Sequence, residues 1–356
     1  MLKKYTFAFL YLFLIFILIE LGTKYFFPEF NESNIFYDKD KFHRVSKGKD
    51  TYFQYKNNTK FRVSKLHGEI IFNDKNSIWF LGDSITNGYG VSFEDTYYSV
   101  LKRKLKKDIN IYASSEYNYS FKNTFSDLNK TIKTHLKEGD LVFYQFNFND
   151  ILDIAKKNSK FNDEDIPNRR SLISFINSTN KFRYKYLNHS SFFKLMQHHA
   201  SIFARDTHGN CKERRIDALG PYTYAYFAKG YEEKSQMLWN IFFKDLILVN
   251  EKLKNKNIRF FVLIPPISLE INGHEKVNKL KYDLNCSTKN GYKYIKNELK
   301  EHNIEIVDIL PVFKEFSSSP LNKDKYLFHT HDTNHPNEKG HELIAQEILM
   351  KLEESN

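Results

Sequence analysis

From residue 77 onward, apolar and polar positions follow the pattern of short buried strands that alternate with amphipathic helices. The apolar run Ser77–Leu81 predicts a buried strand, and helical periodicity follows at Glu94–Lys107. A second strand is predicted at Ile109–Ser114, a helix with a glycine stop at Lys122–Gly139, and a third strand at Asp140–Phe148. Strands and helices that alternate at this spacing predict an α/β fold with a parallel sheet and right-handed crossovers.

This pattern stops at about residue 152 and returns at about residue 230. The interval is rich in tyrosine, asparagine and histidine, and we interpret it as an insertion or a cap over the sheet. The elements predicted after it are a long amphipathic helix at 231–257, a strand at 258–266, a helix at 289–303, a strand at 304–310 and a closing helix at 335–354. In such sheets, reactive groups gather on the loops beyond the carboxyl ends of the strands.

The N-terminus carries an apolar run that lacks a polar face. Lys3 and Lys4 precede the run from Tyr5 to Ile19, which Glu20 interrupts. With the residues that follow, the run approaches the roughly 20 residues that span a bilayer, and no cleavage site of small residues follows it. We interpret residues 1–23 as a single-pass transmembrane signal-anchor with a cytoplasmic N-terminus, because the leading lysines should stay in the cytoplasm. A cleaved signal peptide is the alternative.

This topology places the rest of the chain outside the cytoplasm. The composition is typical of a bacterial protein, so the outside is the periplasm or the cell surface. Residues 24–76 are polar and aromatic, and short alternating pieces predict a spacer that carries a hairpin.

Charge and cysteine content narrow the possible partners. The formal net charge is +11, but lysine is spread along the whole chain, as on a solvated surface, and not concentrated in a nucleic-acid-binding patch. No zinc finger, RNA-recognition signature or P-loop is present, so we expect no nucleic-acid partner. Cys211 and Cys286 lack the paired spacing of a metal knuckle, and the sequence leaves open whether they form a disulfide.

The tripeptide Gly82-Asp83-Ser84 directly follows the first predicted strand. Gly82 permits a tight turn there. A serine hydroxyl is a weak nucleophile until a base takes its proton, and the tetrahedral intermediate needs hydrogen-bond donors for its oxyanion. The tripeptide is also a good turn sequence, so by itself it leaves both interpretations open.

A base for this serine should be a histidine that a carboxylate orients. Asp332 and His335 lie three positions apart on the loop before the closing helix, which Pro336 begins, so one turn can present both side chains. Asp40 and His43 have the same spacing within the spacer. The spacing alone therefore does not single out Asp332 and His335. Their position on the loop before the closing helix does.

Asn149 and Asp150 follow the third predicted strand. An asparagine in this position can aim its amide group into the site as an oxyanion donor. The alternative is that the two residues only cap the next helix.

Taken in order, these stretches resemble the SGNH (GDSL-like) hydrolase family over roughly residues 77–354. The matching residues are Gly82-Asp83-Ser84 for its first block, Asn149-Asp150 for its Gly-x-Asn-Asp block, and Asp332-Thr333-Asn334-His335-Pro336 for its Asp-x-x-His block. The resemblance implies a three-layer, flavodoxin-like fold with a central parallel sheet. It implies supporting roles for Gly82, Asp83 and Asp150.

The resemblance also implies a role for each reactive group. Ser84 is the nucleophile and His335 its general base, while Asp332 orients the histidine. Asn149 donates to the oxyanion together with the backbone N–H of Ser84. A glycine of the family's second block supplies one more backbone N–H, and Asn118 aligns best with it here. Asparagine keeps that N–H and tolerates unusual backbone angles.

Asn147 stands where the third block usually has glycine. We predict that its side chain crowds the floor of the site and narrows the substrate range.

The function that this resemblance implies is a serine-dependent ester hydrolase that works through an acyl-enzyme and needs no cofactor or metal. Its expected substrates are acylated small molecules, lipids or glycans of the bacterial envelope. An O-acyltransferase that modifies envelope polysaccharide shares the same intermediate and remains an alternative.

Two further alternatives use the same region differently. His329, His331, Asp332 and His335 form a string that can hold zinc, as in a metal-dependent hydrolase. A catalytically inactive envelope-binding module on the same fold is the other alternative, because a fold does not guarantee activity.

Overall fold

The computed structural model describes residues 2–26, 53–56, 59–63, 76–105, 109–115, 121–157, 190–192, 195–196, 224–267, 270–271, 287–322, 326–329 and 334–354. The chain divides into two compact units, each described by itself below. The smaller unit comprises residues 1–42, 168–207 and 279–281, and the larger one comprises residues 43–167, 208–278 and 282–356.

The smaller unit contains helix α1, Leu2–Phe26. Most large apolar side chains described on α1 are exposed, and Leu12 is 64% exposed. The carboxylate of Glu20 accepts hydrogen bonds from the Ser190 hydroxyl at 2.7 Å and from the backbone N–H groups of Ser191 and Phe192 at 2.8 and 3.1 Å. No helix within the described ranges is both long enough and apolar enough to cross a membrane.

The larger unit is built on a seven-stranded sheet with the order β1-β2-β4-β3-β5-β6-β7. The strands are β1 Phe53–Lys56, β2 Thr59–Val63, β3 Ser77–Gly82, β4 Asn110–Ser115, β5 Leu141–Gln145, β6 Arg259–Ile264 and β7 Glu305–Asp308. Strands β4, β3, β5, β6 and β7 pair in parallel, which confirms the predicted central parallel sheet. Strands β1 and β2 extend one edge with antiparallel pairing.

The helices of the larger unit follow the strands of this sheet. They are α2 Ser84–Asn87, α3 Tyr97–Lys104, α4 Phe121–Thr134, α5 Asn149–Lys157, α6 Glu232–Lys254, α7 Gly291–Glu301, α8 Leu310–Ser318 and α9 Glu338–Glu353, with short 3-10 helices at Phe93–Asp95 and Pro320–Asn322.

Apolar clusters cover both faces of the sheet, so the layers are helix, sheet and helix. Trp79 and Leu81 of β3 join residues of α4, α5, α6 and α7 on one face. Ile78 and Phe80 join residues of α3, α8 and α9 on the other. Alternate residues of a strand point to opposite faces, so one strand contributes to both clusters.

Both ends of the interval 152–230 belong to this larger unit. Helix α5 runs to Lys157, and Tyr224–Phe227 are buried in the cluster that contains Trp79. The ring of Tyr226 packs on the ring of Phe148 with centroids 4.9 Å apart. Most of the predicted insertion or cap, together with Cys211 and Cys286, lies outside the described residues.

Candidate active site

The serine lies where β3 ends and the chain turns at once into α2. A Cβ atom on Gly82 would lie 2.3 Å from Thr86 Oγ1 and 2.5 Å from Gln145 Oε1, so only glycine fits this turn. The carboxylate of Asp83 caps α2 by accepting a backbone N–H of its first turn at 3.1 Å. Ser84 is therefore the first helical residue beyond the carboxyl end of a central strand.

The fold brings a histidine to this serine. His335 Nε2 lies 2.8 Å from Ser84 Oγ, although 251 positions separate the two residues in sequence. With the ring proton on Nδ1, Nε2 accepts the serine O–H, as a general base must. The loop of His335 is held by a 3.2 Å hydrogen bond from the His329 N–H to the His335 carbonyl and by a β-bridge between Phe328 and Pro336.

Some predicted groups lie outside the described residues, namely Asn118, His331 and Asp332. The orienting role of Asp332 and the donor role of Asn118 therefore stay predictions. Among the residues that the structure does describe, no group of three or more His, Cys, Asp or Glu side chains is placed to hold a metal ion.

Asn149 begins α5 beyond the carboxyl end of β5. Its Nδ2 donates to Asp83 Oδ2 at 3.1 Å, and Asn147 Nδ2 donates to the same oxygen at 2.8 Å. An amide nitrogen carries two hydrogens, so Asp83 can hold one of them while the other is available to an oxyanion. Asn147 is only 6% exposed, and the predicted narrowing of the substrate range by its side chain stays a prediction.

Asp150 holds the start of α5 in place through buried hydrogen bonds. Its Oδ2 accepts hydrogen bonds from the Tyr144 hydroxyl at 2.7 Å and from the Asn147 backbone N–H at 2.9 Å. Burial, followed by the negative charge of Asp83, raises the pKa of Asp150 well above its ordinary value. Asp150 thus ties β5 to the start of α5.

The sequence analysis did not identify two residues that lie next to Ser84 and His335, namely Gln145 and Tyr89. Gln145 Oε1 accepts hydrogen bonds from the backbone N–H groups of Asp83 and Thr86, both at 3.3 Å, and so ties β5 to the serine turn. The sequence signal for this role was the position of Gln145, a polar residue at the end of an apolar strand.

The ring of Tyr89 packs on the imidazole of His335, with centroids 4.3 Å apart. The position of Tyr89 shortly after the serine was its only signal.

This geometry suits acyl transfer. Ser84 Oγ is paired with a base, and the first N–H groups of a helix have no partner within that helix. The backbone N–H of Ser84 and the amide of Asn149 therefore lie on the elements that an oxyanion site requires.

Comparisons with known proteins agree in part with these observations. Residues 223–348, which include His335 and exclude Ser84, match the family model described as GDSL-like Lipase/Acylhydrolase. No curated protein matches the sequence significantly.

Several solved structures are similar to the chain. One is a member of the lipolytic protein G-D-S-L family from Veillonella parvula, with 16% identity, 77% of this chain and 96% of that chain covered, and a TM-score of 0.40. The acetyl xylan esterase AlAXEase has 16% identity, 77% and 98% coverage and a TM-score of 0.37. A catalytic mutant of an acetylxylan esterase from Geobacillus stearothermophilus has 14% identity, 79% and 95% coverage and a TM-score of 0.37. Residues 223–348 are thus similar to a GDSL-like lipase/acylhydrolase domain, and this match supports an ester-hydrolysing enzyme.

Proposed function

We propose that this enzyme hydrolyses esters through an acyl-enzyme, with Ser84 as the nucleophile and His335 as the general base. The observation that carries the proposal is the 2.8 Å contact between Ser84 Oγ and His335 Nε2. The serine is only 6% exposed, so its hydroxyl is partly shielded from competing water.

The reaction takes place in two halves. Ser84 Oγ attacks the acyl carbon while its proton passes to His335 Nε2, and the oxyanion accepts hydrogen bonds from the Ser84 N–H and Asn149 Nδ2. His335 then returns the proton to the departing alcohol oxygen, which leaves the acyl group on Ser84. In the second half, water attacks the acyl carbon while His335 takes its proton. The bond between Ser84 Oγ and the acyl carbon then breaks, His335 returns the proton to Oγ, and the acid is released. Asp332 holds His335 in the required tautomer in this scheme.

The proposed site of action is the bacterial envelope, outside the cytoplasm, on acylated glycans or lipids. Two features support a single-pass membrane anchor at residues 1–23. Lys3 and Lys4 precede an apolar run, and apolar side chains of α1 such as Leu12 and Leu18 are more than half exposed, at 64% and 60%. Exposed apolar side chains in a row are stabilised when lipid covers them.

A panel of nitrophenyl esters tests the reaction, with the full chain purified in detergent. Wild type should release nitrophenol, and Ser84→Ala should release none above the uncatalysed rate. Ser92→Ala is the matched control, because Ser92 is a nearby half-buried serine whose hydroxyl binds Asp95. Equal activity of Ser84→Ala and wild type would contradict the serine mechanism.

Two additions to this assay separate the alternatives. Acetylation of an added oligosaccharide acceptor, in place of acid release, would identify an O-acyltransferase. Loss of activity in a chelator with recovery in zinc would identify a metal-dependent hydrolase.

Reporter fusions at the C-terminus test the location. We expect activity from a reporter that works only outside the cytoplasm. Activity from a reporter that works only inside would contradict both the topology and the envelope substrate.

A further inference from the structure

A turn of unusual backbone conformation follows the nucleophile helix. Gly88 and Gly90 have φ angles of 75° and 84°, in the left-handed region that favours glycine. Tyr89 lies between them, and its backbone N–H donates to the carbonyl of Ser84 at 3.0 Å. The turn is therefore attached to the serine residue itself.

This turn meets the histidine loop at two points. The ring of Tyr89 packs on the ring of His335 with an interplanar angle of 40°. A Cβ atom on Gly90 would lie 2.2 Å from His329 Nε2, so the absence of a side chain lets His329 approach. His329 in turn donates its backbone N–H to the carbonyl of His335. The turn thus lies against two side chains of this loop, those of His335 and His329.

We propose that Tyr89 is a positioning residue for the general base, and that its ring stabilises the imidazolium of His335 during acylation. This inference rests on the proposed roles of Ser84 and His335 and adds to them a residue on which their geometry depends. The ring face acts, and the hydroxyl is dispensable.

The chemistry explains why a ring suits this position. When the O–H bond of Ser84 breaks and Oγ bonds to the acyl carbon, the proton moves to Nε2 and the carbonyl electron pair moves to oxygen. His335 carries a positive charge while it holds this proton, and again while it holds the proton of the attacking water. An aromatic ring attracts a cation that lies within about 6 Å of its centroid, and the two ring centroids lie 4.3 Å apart. Tyr89 therefore favours the charged state and restricts the imidazole to the face that meets Ser84.

Substitutions at position 89 test the proposal in the full chain. Tyr89→Phe keeps the ring, and its kcat should stay within about twofold of wild type, whereas Tyr89→Leu should lose about tenfold, as 1.4 kcal/mol implies. KM should change little in both, because the ring acts on the base and not on the substrate. Tyr231→Leu is the matched control, since Tyr231 is a half-buried tyrosine that packs on Tyr224 and should leave kcat unchanged.

A series of fluorinated side chains tests the same proposal without depending on whether Tyr89→Leu folds. Mono-, di- and trifluorinated phenylalanine at position 89 keep the shape of the ring and progressively weaken its attraction for a cation. We expect kcat to fall stepwise along the series at constant melting temperature. A flat series, or a Tyr89→Phe variant as slow as Tyr89→Leu, would overturn the proposal, and so would a change confined to KM.

A fluorophosphonate probe separates this proposal from the function on which it rests. Wild type that fails to react at Ser84 would overturn the serine mechanism itself. Wild type and Tyr89→Leu that react at Ser84 equally fast would overturn only the role of Tyr89. We expect labelling of both, about tenfold slower in the variant.

Discussion

Two polar clusters lie at the carboxyl edge of one sheet and differ in their chemistry. The serine cluster follows β3 and β5 and consists of Asp83, Ser84, Asn147 and Asn149. The acidic cluster comprises Glu270, which follows β6, and Asp308, which ends β7, together with the tyrosines Tyr226 and Tyr292. Asp308 accepts hydrogen bonds from the Tyr292 hydroxyl and from the Lys296 ammonium. Burial raises the pKa of Glu270 to about 8.

The comparison separates two features that often occur at the same site, a strongly shifted pKa and a contact between a serine and a histidine. A strongly shifted pKa is a common mark of an active site, yet Glu270 belongs to the cluster without a nucleophile and base among its described residues. The serine cluster instead joins Ser84 to His335, which has complementary chemistry and arrives from a distant loop. The shifted pKa of Glu270 follows from burial, whereas the contact of Ser84 with His335 is the observation on which the proposed site of chemistry rests.

The largest effect should come from removing the base. His335→Ala should lower kcat by roughly 10⁴- to 10⁶-fold, because Ser84 loses its proton acceptor. Steady-state kinetics with a nitrophenyl ester measure the loss, and His302→Ala is the control because His302 is exposed at the end of α7. If His335→Ala kept activity within tenfold of wild type, the serine cluster could no longer be distinguished from the acidic cluster as the site of catalysis.

The next largest effect concerns the oxyanion. Asn149→Ala should lower kcat by about 10²- to 10³-fold with little change in melting temperature, since one donor to the oxyanion disappears. Asn240→Ala is the control, because Asn240 is an exposed asparagine on α6. A normal kcat in Asn149→Ala would leave Asn149 as a helix cap only.

Glu270→Gln should change stability and leave kcat unchanged. In the unfolded chain this carboxyl loses its proton near pH 4.5, whereas the folded protein retains it until about pH 8. The unfolded state thus binds fewer protons between these values, so the free energy of unfolding of wild type should fall as the pH rises through this window. The variant should lack most of that fall, which for wild type is on the order of 3 kcal/mol between pH 5 and pH 8.

Urea unfolding at pH 5 and at pH 8 measures this difference, together with kcat at each pH. A variant with the same pH dependence as wild type would show that Glu270 titrates normally. A large loss of kcat would instead bring the acidic cluster into catalysis.

The smallest effect should come from Lys296→Met. The ion pair of Lys296 with Asp308 is partly exposed, with side-chain accessibilities of 30% and 22%, and such pairs contribute about 1 kcal/mol or less. We therefore expect a small fall in the free energy of unfolding and an unchanged kcat. A loss of activity would mean that the charges of Lys296 and Asp308 affect catalysis.

The sequence predicts the elements of the fold well because local pattern and burial agree there. Residues of β3 alternate between two cores, and their apolar run predicts the strand almost to its ends. The helix predicted from Glu94 begins instead at Tyr97, because Glu94 and Asp95 lie in a 3-10 helix. Periodicity cannot distinguish that short turn from the first turn of an α-helix.

Contacts within the site depend on distant segments and are harder to predict. Ser84 and Asn149 follow strands and could be proposed from that position. The ring contact of Tyr89 with His335 joins two loops far apart in sequence, and no local pattern encodes it. The hydrogen bond from Asn147 to the carboxylate of Asp83 likewise depends on the fold, which places β3 beside β5.

The most direct test of the account is covalent labelling of the serine. A fluorophosphonate probe should attach to wild type, and mass spectrometry should place the adduct on Ser84. Ser84→Ala should remain unlabelled, and Ser92→Ala should label as wild type does. Equal labelling of wild type and Ser84→Ala, or an adduct on another residue, would contradict the claim that Ser84 is the nucleophile.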